Sequence, residues 1–275
     1  MRINNNVVAQ TNNRQLNINN NKISKGLEKL SSGRQLNRAG DNAAGLAISE
    51  KMRTQILGMN KASRNTQDAI SLIQTAEGAL QSTSGALQRM RELAVQSASD
   101  TNSPEDRQKL QSEFSALIAE IDDTAAKTEF NGIPILNGNV SISAEDDLAI
   151  QSGPNTGDDT AVRLGNMSAE SLGVASADIT TQQSATESIA AIDAAIDRLS
   201  AQRSELGAMQ NRLEFKMQNL EVSSENLAAA ESRIADTDMA KMMTELTKNK
   251  ILSQASFAIG AQANAIPQGI VPLMS

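Results

Sequence analysis

The feature that most restricts the fold of this chain is an apolar residue at every seventh position over much of its second half. A row with this spacing is the face that one α-helix packs against another. Because no proline interrupts residues 155–266, one continuous helix of roughly 65–85 Å can carry the row. The spacing holds without exception at seven successive positions: Ile192, Leu199, Leu206, Leu213, Leu220, Leu227 and Ile234.

The first half of the chain repeats the pattern within residues 1–103, which also lack proline. A second long helix is therefore predicted, and each long helix needs a partner because a lone apolar stripe would face water. Aromatic residues make up only 1% of the chain, so we expect narrow packed stripes and not a thick core. The row consists of Met52, Met59, Thr66, Ile73, Leu80, Leu87 and Ala94, with Ala62, Ala69, Ala76 and Met90 three positions on.

A third helix is predicted to begin at Pro104. Ser103 supplies a capping hydroxyl, Pro104 suits the first helical position, and Asp106 places a carboxylate at the third. A short turn at residues 100–102 separates this helix from the preceding long one, which favours antiparallel packing. Its apolar face comprises Leu110, Phe114, Leu117, Ile118 and Ile121.

Residues 129–173 have a different residue pattern, which is typical of turns and short strands. The pairs Asn131-Gly132 and Asn137-Gly138 tolerate the positive φ angles of tight turns. The segments "LAIQSG" and "TAVRLG" flank the turn-rich "PNTGDD". This pattern predicts a small β-hairpin inserted between the helices.

The two ends of the chain, residues 1–32 and 239–275, are expected to be largely helical but thinly apolar. Asparagine-rich helix has poor intrinsic propensity, so such ends are expected to become ordered only when they pack against something else. The candidate packing residues are Leu16, Ile23, Leu27, Leu30, Met243, Leu246, Ile251 and Leu252.

Residues 33–42 are interpreted as a hinge between two helical segments. Gly33 is expected to end the first helix, and Gly40-Asp41 to cap the next one. The small residues of "AGDNAAGLA" would let another backbone approach closely. Close packing is therefore predicted at this joint.

Composition argues against catalysis and against nucleic-acid binding. Histidine and cysteine are both absent, so the chain has no imidazole base and no His/Cys metal site. We find no nucleotide-binding or nucleophile motif, and expect neither enzyme activity nor a cofactor. The net charge of −7 disfavours phosphate-backbone partners. No apolar run is long enough to cross a bilayer, and the N-terminus does not read as a standard secretory signal.

Several long segments closely resemble bacterial flagellin, in the same order and at both ends. They are "LEKLSSGRQLNRAGDNAAGLAISEKMRTQI", "SLIQTAEGALQSTSGALQRMRELAVQSAS", "TEFNGIPILNG" and "ENLAAAESRIADTDMAKMMTELTKNKILSQASFAIGAQAN". The resemblance covers roughly residues 1–140 and 186–265. Arg34 departs from it, because flagellins usually carry an apolar residue there. The final ten residues, with Pro272, depart from it as well.

The resemblance implies a mainly α fold: a long antiparallel helical bundle or coiled coil with a small β-hairpin region and paired N- and C-termini. Residues 1–32 plus 239–275 would form a terminal domain that lines the channel of a filament. Residues 33–42 and 235–238 would be linkers. Residues 43–234 would form the long-helix domain, including the hairpin region at about 129–173, without the outer domains of longer flagellins.

The resemblance also implies function and partners. The chain would leave the cell through the flagellar type III export channel and polymerise with itself into the extracellular filament that drives motility. An export chaperone and the cap and junction proteins would be further partners, without membrane insertion or nucleic acid. A host innate immune receptor would recognise a surface formed by Gln88, Arg89, Arg91, Leu93, Leu110, Gln111 and Glu113.

Two alternatives remain open at the level of sequence. A hook–filament junction protein has ends that resemble flagellin, and the short middle of this chain permits that role. A soluble coiled-coil scaffold would form an oligomer of fixed size. Exposed arginine and glutamate are also ordinary solvated charges in most helices, so chemistry alone does not identify a receptor surface.

Overall fold

The structure, a computed structural model, describes residues 6–138 and 147–268 of the 275-residue chain. Most of the described residues are helical, which confirms the predicted mainly α class. The first five and last seven residues of the predicted terminal segments lie outside this part. The elements are α1 (Val7–Ser32), α2 (Ala43–Ser97), α3 (Pro104–Lys127), β1 (Glu129–Phe130), β2 (Ile133–Pro134), β3 (Asp147–Gln151), β4 (Asp159–Arg163), α4 (Ala169–Leu172), α5 (Gln182–Ala235) and α6 (Met239–Gln268).

By internal packing the chain divides into two compact units. Unit 1 comprises Met1–Ile56 and Glu225–Ser275, and unit 2 comprises Leu57–Ser224. These boundaries fall inside the two long helices, whereas the sequence-based boundaries fall between helices, at 33–42 and 235–238. The predicted domain division therefore stays a prediction.

The heptad rows form the centre of the core of unit 2. Phe114 and Ile121 of α3 pack on these rows and are themselves 0% and 1% exposed. Burial along the α5 row decreases after Leu213, and Leu220 is only half-buried. The buried row positions are Met59, Thr66, Ile73, Leu80, Leu87 and Ala94 on α2, and Ile192, Leu199, Leu206 and Leu213 on α5.

Helices α2 and α5 run antiparallel within unit 2. Residues nearer the end of α2 contact residues nearer the start of α5, as expected for helices that run in opposite directions. The predicted antiparallel bundle is thus confirmed. Three side-chain pairs join the two helices: Arg91 with Asp193, Glu77 with Arg203, and Asn60 with Ser224.

Helix α3 begins as the sequence predicts. The Ser103 hydroxyl accepts a hydrogen bond from the Asp106 backbone N–H at 3.2 Å, and Pro104 occupies the first turn. The Ser103 hydroxyl also donates to the Asp106 carboxylate at 2.8 Å. This reciprocal cap satisfies a backbone donor that the helix itself leaves without a partner.

Strands β3 and β4 form the predicted antiparallel hairpin, with Leu148 opposite Val162. Val162 is fully buried in the core of unit 2. The hairpin loop lies against α2, because a Cβ added to Gly58 would stand 2.9 Å from the Cβ of Pro154. Only glycine leaves room for the loop at this position of α2.

Strands β1 and β2 form a second, two-residue hairpin. Asn131 and Gly132 join them with φ angles of 54° and 77°. Two consecutive positive angles are typical of a type I′ turn. The predicted Asn-Gly turn is therefore confirmed.

In unit 1, helices α1 and α6 pack together antiparallel. The amide of Asn6 donates to the Ala263 carbonyl at 2.9 Å, and that of Asn12 donates to the Ser256 carbonyl at 2.7 Å. Early residues of α1 thus meet late residues of α6. The predicted pairing of the two ends of the chain is confirmed for the described residues.

A short backbone ladder connects the segments that follow α1 and α5. The Gln35 N–H donates to the Ala235 carbonyl at 2.7 Å, and the Thr237 N–H donates to the Gly33 carbonyl at 3.0 Å. Gly33 ends α1 in the left-handed region, with φ 69°. The predicted stop at Gly33 is therefore confirmed.

The predicted cap of α2 at Gly40-Asp41 is wrong by one residue. The side chain of Asn42 caps the helix, accepting from the Gly45 N–H at 3.0 Å. The predicted close approach does occur at Gly45, but its neighbour is a side chain and not a backbone. A Cβ on Gly45 would lie 3.0 Å from a terminal methyl of Leu36.

Helix α6 ends at Gln268, two residues beyond the predicted end near Ile266. The prediction assumed that Pro267 would force the preceding residue out of the helix. Pro267 lies in the final turn, however, where the missing N–H removes a single hydrogen bond from an end that already frays.

Candidate assembly surfaces

The eight residues expected to pack in the centre of an assembly are mostly uncovered within the single chain. Leu246 is buried, with 5% of its surface exposed. Leu16, Ile23 and Leu30 are half-buried. Between 41% and 59% of the surface is exposed on the other four: Leu27, Met243, Ile251 and Leu252.

Further large apolar side chains of the same two helices are exposed. Sequence reasoning did not select them as packing sites. Apolar side chains are therefore exposed to solvent along most of the described length of α1 and α6. They are Val7, Val8 and Ile18 on α1, and Met239, Phe257 and Ile259 on α6.

The exposed apolar residues of α6 point in several directions. At about 100° per residue, Ile251 and Leu252 diverge by about 100° around the axis, and Met243 and Ile251 by about 80°. A helix with apolar residues on several sides normally needs more than one packing partner. Helix α1 covers only the side of α6 that carries Leu246, Ser253 and Ala263, all buried. The other sides of α6 therefore form a candidate assembly surface.

The seam between α1 and α6 combines polar and apolar contacts. Besides the two amide–carbonyl bonds, the Ser253 hydroxyl donates to the Asn20 side chain at 3.0 Å, and Asn19 is 2% exposed. Apolar contact is present as well, as where Gly26 faces Leu246. Each hydrogen bond contributes only about 1 kcal/mol net. The hydrogen bonds therefore fix the register of the pair more than they stabilise it.

The hinge residues have distinct roles in the structure. Gly33 takes the left-handed angle, whereas Gly40 is exposed with nothing near its Cβ position. The Asp41 carboxylate accepts from the backbone N–H groups of Asn37 and Arg38, both at 3.3 Å. The Arg38 backbone bond is the main reason why the pKa of Asp41 is lowered. Asp41 thus tightens the loop before α2.

The atypical Arg34 also has a partner in unit 1. Its guanidinium lies 3.2 Å from the Glu231 carboxylate, and both side chains are largely buried, with 28% and 19% exposed. Arg34 also pairs with Asp236 through a backbone bridge. An apolar residue at this position would leave Glu231 without this ion pair.

The proposed receptor surface is held by an ion pair between two helices. Arg89 of α2 donates to Glu113 of α3 at 2.8 Å and to Glu92 at 2.9 Å, with about half of each charged side chain exposed or more. These bonds, first that to Glu113, raise the pKa of Arg89. Gln88 is exposed beside them, and Leu110 is half-buried.

The other predicted members of that surface are engaged elsewhere. Arg91 donates to Asp193 of α5 at 2.6 Å. Leu93 lies in the core, with 1% exposed. The Gln111 side chain accepts from the Ile179 backbone N–H at 2.8 Å. Arg89, Glu113 and Gln88 therefore form the accessible centre of the group.

Within the described ranges 6–138 and 147–268, no three His, Cys, Asp or Glu residues converge as a metal site. In the same ranges, no helix combines the length and the hydropathy that a membrane crossing requires.

Two sequence profiles match most of the chain. The bacterial flagellin N-terminal helical region matches residues 3–141, and the bacterial flagellin C-terminal helical region matches residues 189–274. The gap between them contains β3, β4 and α4.

Curated relatives match over their whole length. The chain is 50% identical over 276 residues to a flagellin of Halalkalibacterium halodurans, with 100% of both chains covered. It is 45% identical over 285 residues to the flagellar filament 30.7 kDa core protein of Treponema maltophilum, again with 100% of both covered. Among solved structures, the crystal structure of Bacillus cereus flagellin is 35% identical, with a TM-score of 0.51 over 61% of this chain and 94% of that one.

Proposed function

Because this chain belongs to the bacterial flagellin family, we propose that its terminal helices α1 and α6 supply the contacts through which its copies build the inner wall of the flagellar filament. The chain is a structural subunit of that extracellular filament and not an enzyme. Copies of it polymerise. The proposal concerns which surfaces make the contacts between those copies.

The exposed apolar surface of α6 carries this proposal. Met243 and Leu252 lie about 180° apart around the helix and both are exposed, so a single partner helix cannot cover them both. Neighbouring copies on several sides can. Fixing the backbone of a loose helix costs about 1–2 kcal/mol per residue, and the seam with α1 leaves much of the apolar surface of α6 exposed. We expect burial between copies to offset that cost, so that ordering of the ends and polymerisation form one transition.

The same reasoning gives a domain assignment. Residues 1–32 plus 239–275 form the filament core around the channel, residues 33–42 and 235–238 act as linkers, and residues 43–234 form the surrounding long-helix domain. A heterologous contact that repeats without closing produces an open helical filament, which suits a rigid propeller.

Seeded growth tests the proposal. Sheared filament fragments are added to monomer, and light scattering follows elongation. We expect Ile251→Gln to elongate at least tenfold more slowly than the wild type, while its monomer keeps the same circular dichroism. Val222→Gln, which alters an apolar residue of similar exposure in unit 2, is the matched control. Equal elongation rates for the two variants would contradict the assignment of α6 to the core.

The exposed α6 surface also supports the remaining partners. An apolar helix would aggregate before export unless something covered it, which is the role of an export chaperone. We also propose passage through the flagellar export channel and contact with cap and junction proteins, which the resemblance to flagellin implies. Co-purification of an intracellular partner that is lost on removal of residues 239–275 is the expected result.

A second candidate function is recognition by a host innate immune receptor. The observation that favours it is the exposed Arg89–Glu113 pair, which holds two helices at fixed spacing for a docking partner. We expect Arg89→Ala to reduce receptor-reporter activation by monomer at least tenfold. Lys109→Ala, which breaks the exposed α3 pair with Asp106, serves as the control and should retain full activation. An equal loss of reporter signal in the two variants would contradict the proposed receptor surface.

The alternatives make different predictions. A junction protein would be present in few copies per cell, whereas a filament subunit is sheared from cells in thousands. A coiled-coil scaffold would keep a constant small oligomer when seeds are added.

A further inference from the structure

The two units carry opposite net charge. Unit 1 contains 13 Lys and Arg against eight Asp and Glu, whereas unit 2 contains 12 Lys and Arg against 24 Asp and Glu. The overall charge of −7 therefore conceals a basic unit and a strongly acidic one. Bulk charge alone would make copies of this chain repel each other.

The positive charge of unit 1 is concentrated beside the α1–α6 seam. A groove there is lined by lysines from both helices, around the buried Gly26. Lys22, Lys25 and Lys29 share one face of α1, since their spacing of three and four residues matches the helical repeat. Lys248 approaches from α6. We call this set the lysine groove.

Negative charge only partly balances the lysine groove. Glu245 is the acidic residue in its lining, and Glu28 and Asp41 lie beside Lys25 and Lys29 in the adjoining groove, which also contains Arg38. Five positive groups thus stand against three carboxylates. The groove also acts on its surroundings: the charges of Lys29 and Lys25 add to the backbone bonds that lower the pKa of Asp41. The groove is thus an exposed, positively charged surface with spare capacity for carboxylates.

We propose that the lysine groove of unit 1 docks onto the acidic unit 2 of a second copy of this chain. This inference rests on the proposed function. A filament built from one kind of subunit needs a heterologous contact, in which two different surfaces meet. Opposite charge on those surfaces steers the incoming copy and rejects the reverse orientation. A subunit with one basic and one acidic unit meets both requirements.

The salt dependence of seeded growth tests the inference. If complementary surfaces attract, elongation slows as sodium chloride screens them. We expect the rate to fall by about tenfold between 20 and 500 mM. If the net charge of −7 governs association, screening removes repulsion and the rate rises. A rising or constant rate would overturn the inference while leaving polymerisation itself intact.

Charge variants locate the effect. The double variant Lys25→Glu with Lys29→Glu reverses the lysine groove. The matched control, Lys61→Glu with Lys109→Glu, makes the same change of net charge on exposed lysines of unit 2. At 20 mM salt we expect the groove variant to elongate at least tenfold more slowly than the control and to lose the inhibition by salt. Equal rates for both variants would overturn the assignment to the groove.

A milder variant and an inhibition experiment distinguish loss of the groove from loss of the fold. The milder pair Lys25→Gln and Lys29→Gln replaces the reversal variant if circular dichroism shows that the latter has lost helix. Poly-L-glutamate at low salt should inhibit wild-type elongation but not elongation of the groove variant. Equal inhibition of both would contradict a carboxylate-binding groove. Failure of the wild type to elongate at every salt concentration would instead overturn the proposed function, and this inference with it.

Discussion

Gly33 ends α1 at a backbone angle that side chains disfavour. Its φ of 69° lies in the left-handed region, which costs an L-residue with a Cβ roughly 1–2 kcal/mol. Nothing lies within 4 Å of a Cβ built there, so the cost of adding a side chain is purely conformational. The glycine is therefore required by the turn and not by packing.

Gly33→Ala is expected to lower the thermal dissociation temperature of the filament, because the angle needed at the joint becomes strained. Gly40→Ala is the matched control, since Gly40 lies in the same hinge with equal space but without a left-handed φ. The control should leave the dissociation temperature unchanged or raise it. Equal losses in differential scanning calorimetry would show that the hinge tolerates no side chain at either glycine.

Residue-level predictions succeeded where one residue had no competitor. Ser103 stands directly before a proline, so its role as a cap was readable from the sequence. At the start of α2, three adjacent polar or small residues compete, and only the direction of the Asn42 side chain toward the Gly45 N–H decides between them. The exposed Val7 and Ile18 lie on one face of α1, eleven residues apart, but Thr11 and Arg14 occupy the positions between them, so no apolar row marked them.

At the scale of elements, the heptad rows predicted both long helices and the core of unit 2. They did not predict where burial ends. Leu206 is 1% exposed, whereas Leu220 two heptads later is half-buried. Spacing records which face is apolar, but the length of the neighbouring elements decides how much of that face is covered.

Leu206→Ala is expected to destabilise unit 2 by about 2–5 kcal/mol, because it leaves a cavity in a closed core. Leu220→Ala removes the same atoms from a half-covered site and is expected to cost clearly less. Urea unfolding followed by circular dichroism measures both. Equal losses would mean that the α5 row is packed alike along its length.

The hairpin could be predicted from its turn residues, but its contact with α2 could not. That contact depends on Gly58, which a helical pattern reads only as a weak position. Two segments far apart in the sequence meet there, and no local signal connects them.

Gly58→Ala is expected to destabilise unit 2 by about 1–3 kcal/mol, since its Cβ would press on Pro154. Gly78→Ala on the same helix has open space at the Cβ and should stabilise by up to about 1 kcal/mol through helix propensity. Thermal unfolding of the two variants in parallel provides the test. Stabilisation by both would show that the hairpin loop can move away without cost.

At the scale of the whole molecule, the described structure shows two paired terminal helices whose apolar residues largely lack partners within the chain. The pairing was predictable because both ends carry thin apolar patterns and resemble a known family. The exposure of apolar residues on several sides of α6 was not predicted, because the sequence alone does not show which sides the partner helix covers.

Amide hydrogen exchange should distinguish the units in monomer and filament. We expect amides of α1 and α6 to exchange rapidly in the monomer and slowly in the filament, because neighbouring copies order them. Amides in the unit 2 parts of α2 and α5 serve as the internal control and should be protected in both states. Full protection of α1 and α6 in the monomer would contradict coupling between ordering and assembly.

The asparagine amides of α1 bond to main-chain carbonyls of α6, and this has an evolutionary consequence. Asn6 and Asn12 recognise oxygen atoms that every amino acid possesses. The outward residues of α6 can thus drift from one lineage to another while the alignment of the two helices is inherited intact. Gly260, which lies against the Asn12 amide, is where we expect such drift to be least tolerated.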